Sequence, residues 1–291
     1  MNFRTDLALE RQELLGAESL KGVISETEVK DQVKITRIEI TDDTASRRLS
    51  KPIGNYITAE VPPFSTDAEI FDGRLEILSE EIKSMLPVNG TVLVVGLGNI
   101  SITPDALGPK SAGYILATRH ISDELKKSIG FENMRSVASL SPGVLGQTGI
   151  ETGEIVRGIV DRIKPSAVIT VDALASRNLS RLGSTVQMSD TGISPGSGVG
   201  NQRKRLDETT LGVKVISIGV PTVVDGATLA HDLIDKEKST SYSVLPESEQ
   251  MMVTPKEIDL LIERASKLVG MAINCALQPD ISPEDIMSLV S

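Results

Sequence analysis

The chain has 291 residues, 40% hydrophobic and 24% charged, a balance that fits a soluble globular fold of one large domain or two small ones. Aromatic residues make up 2%, with no Trp, so the core is aliphatic and few side chains could stack on the bases of a single-stranded nucleic acid. A net charge of −10 argues against broad contact with DNA phosphates, and the single cysteine, Cys275, excludes an internal disulfide. The opening Met1-Asn-Phe-Arg-Thr-Asp6 has no apolar core of a signal peptide, and no stretch is apolar for long enough to span a membrane. A cytoplasmic protein is expected.

Residues 1–32 are polar and acidic, and the short amphipathic stretch 7–15 is expected to be part of a flexible arm. A strand is expected over 34–40, a charged loop over 42–52, and a second strand over 56–61, stopped by Pro62-Pro63. Residues 72–85 carry Leu75, Leu78, Ile82 and Met85 at helical spacing. The apolar run 92–95 predicts a strand buried on both faces, ending in the turn Gly96-Leu-Gly-Asn99. A loop carrying Asp105 and a helix over 110–120 follow. Downstream come short strands at 136–140, 167–171 and 213–218 and an edge strand at 185–188. A turn-rich loop is expected over 141–149, helices over 151–163 and 225–234, and a mobile insertion over 236–251. Thr254-Pro-Lys-Glu257 and Ser282-Pro-Glu-Asp285 each look like a capped helix start. Strands alternating with helices predict an α/β fold: a mainly parallel twisted sheet with helices on both faces.

Gly96-x-Gly98 suggests a dinucleotide fingerprint, but the third glycine would fall at Ser101 and no helix starts directly after the turn. Two strands are instead followed by the same tripeptide, Asp105-Ala-Leu107 and Asp172-Ala-Leu174. Carboxyl ends of parallel strands share one edge of the sheet, so both aspartates can meet in one crevice. Paired carboxylates share a proton, which lets one act as base on a water and the other as acid toward a leaving group. Either aspartate alone is better read as capping a turn or helix; it is their recurrence at two strand ends that brings forward the catalytic pairing. Gly192-Ile-Ser-Pro-Gly196 matches G-x-S-x-G around Ser194, but the residues after it do not suggest the helix that a nucleophile elbow needs. The two histidines, His120 and His231, both fall on expected helices, and no Cys/His cluster suggests a metal. Cys275 on an apolar helix face suits a core position.

Four motifs together resemble the germination protease family: Arg4-Thr-Asp-Leu-Ala-Leu-Glu10; Gly96-Leu-Gly-Asn99 with Thr103-Pro-Asp-Ala-Leu-Gly-Pro109; Val171-Asp-Ala-Leu-Ala175; and Asp190-Thr-Gly-Ile-Ser-Pro-Gly-Ser-Gly-Val-Gly-Asn201. The resemblance runs nearly end to end. It implies a sequence-specific, atypical aspartic endopeptidase that degrades small acid-soluble spore proteins at germination, without a cofactor or metal. It implies a three-layer fold like that of the hydrogenase-maturation endopeptidases, a homotetramer, and location in the forespore or spore core, with no nucleic-acid or membrane partner. Asp105 and Asp172 match the catalytic pair. Gly96, Gly98, Asn99, Gly192, Ser194 and Gly196 are candidate substrate-binding positions. Family substrates carry an acidic residue, an apolar residue and Ala before the cut, as in Asp6-Leu7-Ala8, so self-cleavage between Ala8 and Leu9 is expected. That makes 1–8 a pro-segment, with Arg4 available to pair with a crevice carboxylate, and 9–291 a single peptidase domain with an N-terminal elaboration. Two alternatives stay open: a maturation-type peptidase trimming a partner's tail, and a non-catalytic binder of a basic partner.

Overall fold

The computed structural model describes residues 5–16, 20–66, 69, 71–128, 130–195, 204–233 and 251–290. The expected insertion at 236–251, apart from Met251, and Arg4 and Gly196 lie outside them. The N-terminal half runs α1 (Ala8–Leu14), β1 (Val23–Lys30), β2 (Val33–Ile40), α2 (Asp43–Leu49), β3 (Gly54–Glu60), α3 (Gly73–Met85), β4 (Val92–Gly96), α4 (Leu107–Gly113), α5 (Asp123–Ser128) and β5 (Val137–Leu140). There follow α6 (Leu145–Thr148), α7 (Thr152–Ile163), β6 (Ala167–Ser176), β7 (Thr185–Ser189), α8 (Glu208–Leu211), β8 (Lys214–Asp225), α9 (Gly226–Leu233), β9 (Met252–Val253), α10 (Ile258–Leu277) and α11 (Pro283–Val290).

The described strands form one sheet in the order β1-β2-β3-β7-β8-β6-β4-β5, with β9 on the far end of β8. The class is α/β as expected, but the sheet is mixed rather than mainly parallel. The ladders β8-β6, β6-β4 and β4-β5 are parallel; β1-β2, β2-β3, β3-β7 and β7-β8 are antiparallel. The antiparallel half follows from short connections. Asp31 and Gln32, both at positive φ (46° and 66°), make the two-residue reversal between β1 and β2. No Gly marks that turn and β1 is almost wholly exposed, so alternating burial gives no sign of the strand.

Strand alternation sorts the side chains onto two faces. On one face Val92, Val94, Ile169, Val171, Ile216 and Ile218 pack under α3, α4 and α10. On the other, Leu93, Val95, Val168 and Val215 pack under α7 and α8, while Ile38, Ile40 and Tyr56 pack under α1 and α2. These two groups leave a gap in the helix layer over β6, β8 and β7. There the second face carries Asp172, Gln187, Ser189 and Ser217 instead of aliphatics.

Several expectations are corrected. Residues 7–15 are no free arm: Leu7, Ala8, Leu9 and Glu10 are buried, because α1 docks on β2 and β3. The loop at 42–52 holds α2, capped by Asp42 through the Ala45 N–H. The helix after Asp105 starts earlier and stops at Gly113, so His120 sits in an exposed turn. The loop at 141–149 contains α6. β7 is interior, flanked by β3 and β8. β6 and β8 run past their apolar stretches to Ser176 and Asp225, since each completes the other's ladder across a bulge at Leu174/Ala175. α10 begins at Ile258 without the Thr254 cap, whereas Ser282 caps α11 through the Asp285 N–H.

Candidate active site

The gap in the helix layer is a cavity of about 500 Å3. Asp105 and Asp172 both line it, as do Gly98, Gly192 and Ser194. Asp172 lies within β6 rather than at its tip, one residue beyond the Gly96–Val171 pairing that ends β4. It is 5% exposed, and its Oδ1 accepts from the Ala173 N–H at 2.9 Å.

Asp105 ends a short 3-10 turn, Thr103–Asp105. The Asn99 N–H holds it twice, at 2.8 Å to Oδ2 and 3.1 Å to the main-chain oxygen. Thr222 on β8 donates to Pro104 O at 2.8 Å, tying the turn to the sheet. Glycine is required at three points of this junction. A Cβ on Gly98 (φ +117°) would lie 2.1 Å from Asp105 O. One on Gly108 would lie 2.3 Å from Val171 O, and one on Gly96 would lie 2.1 Å from Gly108 O. Gly96 is therefore a packing residue under α4 and does not reach the cavity. Asn99 does not line it either: its Oδ1 accepts from the Ser101 N–H and from Gln147 Nε2.

Gly192 (φ +76°) sits where a Cβ would lie 2.2 Å from Leu206 O, so it joins the 193–206 bridge to the cavity wall. Neither Ala8 nor Leu9 lines the cavity; both are buried at the start of α1.

The sequence reasoning missed Gln187, Lys51 and Asp6, all of which line the cavity. Gln187 left a signal: Thr185, Gln187 and Ser189 alternate with Val186 and Met188, the pattern of a strand with one polar, buried face. Lys51 Nζ donates to Asp6 O at 2.6 Å. Burial lowers its pKa, with the Asp6 carboxylate opposing. Beyond the cavity, Arg181 anchors α1 through Glu13 (2.7 and 2.5 Å) and the buried Glu10 (3.5 Å). Burial opposes the charge on Arg181, but Glu13, Glu10 and Glu60 outweigh it and raise its pKa. Among the described residues no group of three metal-binding side chains occurs, and no helix is long and apolar enough to cross a membrane.

The sequence profile of the family described as germination protease matches residues 4–238. A germination protease of Caldanaerobacter subterraneus subsp. tengcongensis is 44% identical, covering 100% of this chain and 98% of its own. One of Clostridium perfringens is 41% identical with 98% of each chain covered, and one of Priestia megaterium is 35% identical with 98% and 96% covered. Among solved structures, the NiFe hydrogenase maturation protease HycI of Thermococcus kodakarensis is similar at a TM-score of 0.37 and 18% identity, over 66% of this chain and 98% of that one. Matched nearly end to end by these relatives, the chain belongs to the germination protease family.

Proposed function

We propose that the chain is a sequence-specific endopeptidase acting on small acid-soluble spore proteins, with Asp105 and Asp172 as its working carboxylates. The observation that supports this most is that the two aspartates, far apart in sequence, line one cavity. One carboxylate takes a proton from a water as the water oxygen bonds to the peptide carbonyl carbon. The other, protonated, gives its proton to the amide nitrogen as the C–N bond breaks, leaving a carboxylic acid and an amine. In this reading Gly98 and Gly192, which line the same cavity, offer their own N–H groups to the substrate or its oxyanion.

In this reading the enzyme is made as a zymogen in the forespore, assembles as a homotetramer, and matures by cutting Ala8–Leu9. Incubation with a purified small acid-soluble spore protein, with the cuts mapped by mass spectrometry, tests it. Folded Asp105→Asn and Asp172→Asn variants should each lose at least about a hundredfold in rate, the lower range for general acid–base catalysis. Native rates in either variant overturn the assignment.

A further inference from the structure

Asp6 lines the cavity, and residues 6–8 lead from it into α1, held largely through main-chain groups. The Asp6 N–H donates to Ala175 O at 2.9 Å, and the Ala175 N–H donates to Asp6 Oδ2 at 2.8 Å. Gln187 Nε2 donates to Asp6 O at 3.0 Å, and the Ala8 N–H donates to Gln187 Oε1 at 2.7 Å. One carboxamide thus brackets Leu7, giving it the two bonds that a residue of a parallel strand gives its neighbour. Only a side chain carrying both donor and acceptor can do this, as Asn and Gln do.

Gln187 also stands in register with the catalytic candidate. Gly219 pairs with Asp172 on one side and with Gln187 on the other, and the three share one cross-strand row. The middle position is bare, because a Cβ there would lie 2.5 Å from Leu174 Cγ and 2.8 Å from Asp172 O. At ordinary strand spacing the two Cα atoms stand about 10 Å apart. A backbone gripped by Gln187 therefore lies in the same cross-strand row as the Asp172 carboxylate, with the Leu174 side chain packed over Gly219 between them.

We propose that Gln187, with the main chain of Ala175, is the positioning residue that grips the backbone of the peptide substrate. In this arrangement the chain's own Asp6-Leu7-Ala8 occupies the place the substrate takes. The inference rests on the peptidase reading above and assigns its substrate cradle. Extended peptides bind in this way when main-chain bonds supply affinity and neighbouring pockets supply selectivity. The bonds do not depend on the tether, so a separate peptide makes the same ones. Segment and substrate then exclude each other.

The test uses a fluorescent peptide copying residues 4–13 and a second copy methylated on the Ala8 amide nitrogen. Binding is read by anisotropy on the full chain carrying Asp105→Asn, with and without Gln187→Ala. Comparing two peptides on one protein cancels competition from the tethered segment. Methylation should weaken binding roughly five- to tenfold when Gln187 is present, the worth of one buried hydrogen bond, and less than about twofold with Gln187→Ala. Equal ratios on both proteins overturn the cradle even if the wild-type chain cuts the peptide. So does a lack of binding at millimolar concentration. The expected ratios, found for a peptide that the wild-type chain does not cut, keep the cradle and sink the peptidase reading.

Discussion

Gly98→Ala tests whether the Asp105 turn is set by backbone geometry. At φ +117° an L side chain is strained whatever the space around it, at a cost of roughly 1–3 kcal/mol. The added Cβ would also stand 2.1 Å from Asp105 O and 3.2 Å from Asp105 Oδ1. Restoring ordinary contact requires a retreat of about 1 Å. That retreat moves the whole residue, because the Asn99 N–H binds both its carboxylate and its main-chain oxygen. A displacement of about 1 Å at a reacting group costs roughly a hundredfold in rate. We therefore expect a folded protein, destabilised by about 1–3 kcal/mol in denaturant unfolding, with turnover down about a hundredfold. Gly113→Ala is the control: nothing lies within 4 Å of its Cβ position and its φ is ordinary, so stability should hold or rise by about 0.4–1 kcal/mol. Gly98→Ala with native stability and native turnover refutes the reasoning.

Ser194→Ala should keep its activity; a folded but inactive variant would revive the serine reading. Arg181→Met removes the cation beside the buried Glu10 carboxylate, which keeps the Arg177 and Asn178 N–H groups, and should cost about 1–3 kcal/mol in denaturant unfolding, with Glu10→Gln in the same background recovering part of it. Tyr56 is 3% exposed, donates to Pro52 O, and has its pKa pushed up to about 12, first by burial. A raised pKa contributes stability that is whole below pH 10 and is lost as pH climbs toward 12, roughly 2–3 kcal/mol in all. Unfolding measured across that window should show this loss in the native chain and lack it in Tyr56→Phe. Burial likewise pushes the Cys275 thiol up to about 11, so its alkylation at pH 8 should lag far behind that of a free thiol.

The parallel half of the sheet was readable because its strands are continuous aliphatic runs; Asp172 directly follows one of these runs, and Asp105 lies in the turn after another. The antiparallel half was harder. β1 presents Ile24 and Val29 to solvent, so its pattern has no buried stripe to find. The expected strand ends fall short of those of β6 and β8, because Asp172 and Gly219-Val-Pro221 interrupt the aliphatic pattern while the ladder continues beneath them. Asp172 was accordingly placed at a strand tip when it sits in mid-strand. Gly96 and Asn99 were grouped with Gly98 by sequence adjacency, yet in this turn neighbouring residues point to α4, to Gln147 and to the cavity in turn. The N-terminal segment looked exposed because Asp6 and Glu10 are charged. Their charges are instead taken up by backbone N–H groups at Ala175, Arg177 and Asn178.

The placement of Ala8 and Leu9 in the first turn of α1, 1% and 8% exposed, bears on timing. A peptide bond wound into a helix and pressed into a core meets a protease only while that turn is open. For the proposed cut, the rate of processing would be the fraction of time spent open multiplied by the rate at which an open chain is cut. If opening costs about 3 kcal/mol, roughly one molecule in 160 is open at any moment, and maturation is slower by that factor than hydrolysis of the same sequence as a free peptide. If the chain matures by the proposed cut, the stability of one short helix sets a delay between synthesis and maturation. A change that loosens α1 without touching the cavity, such as Arg181→Met, should shorten that delay.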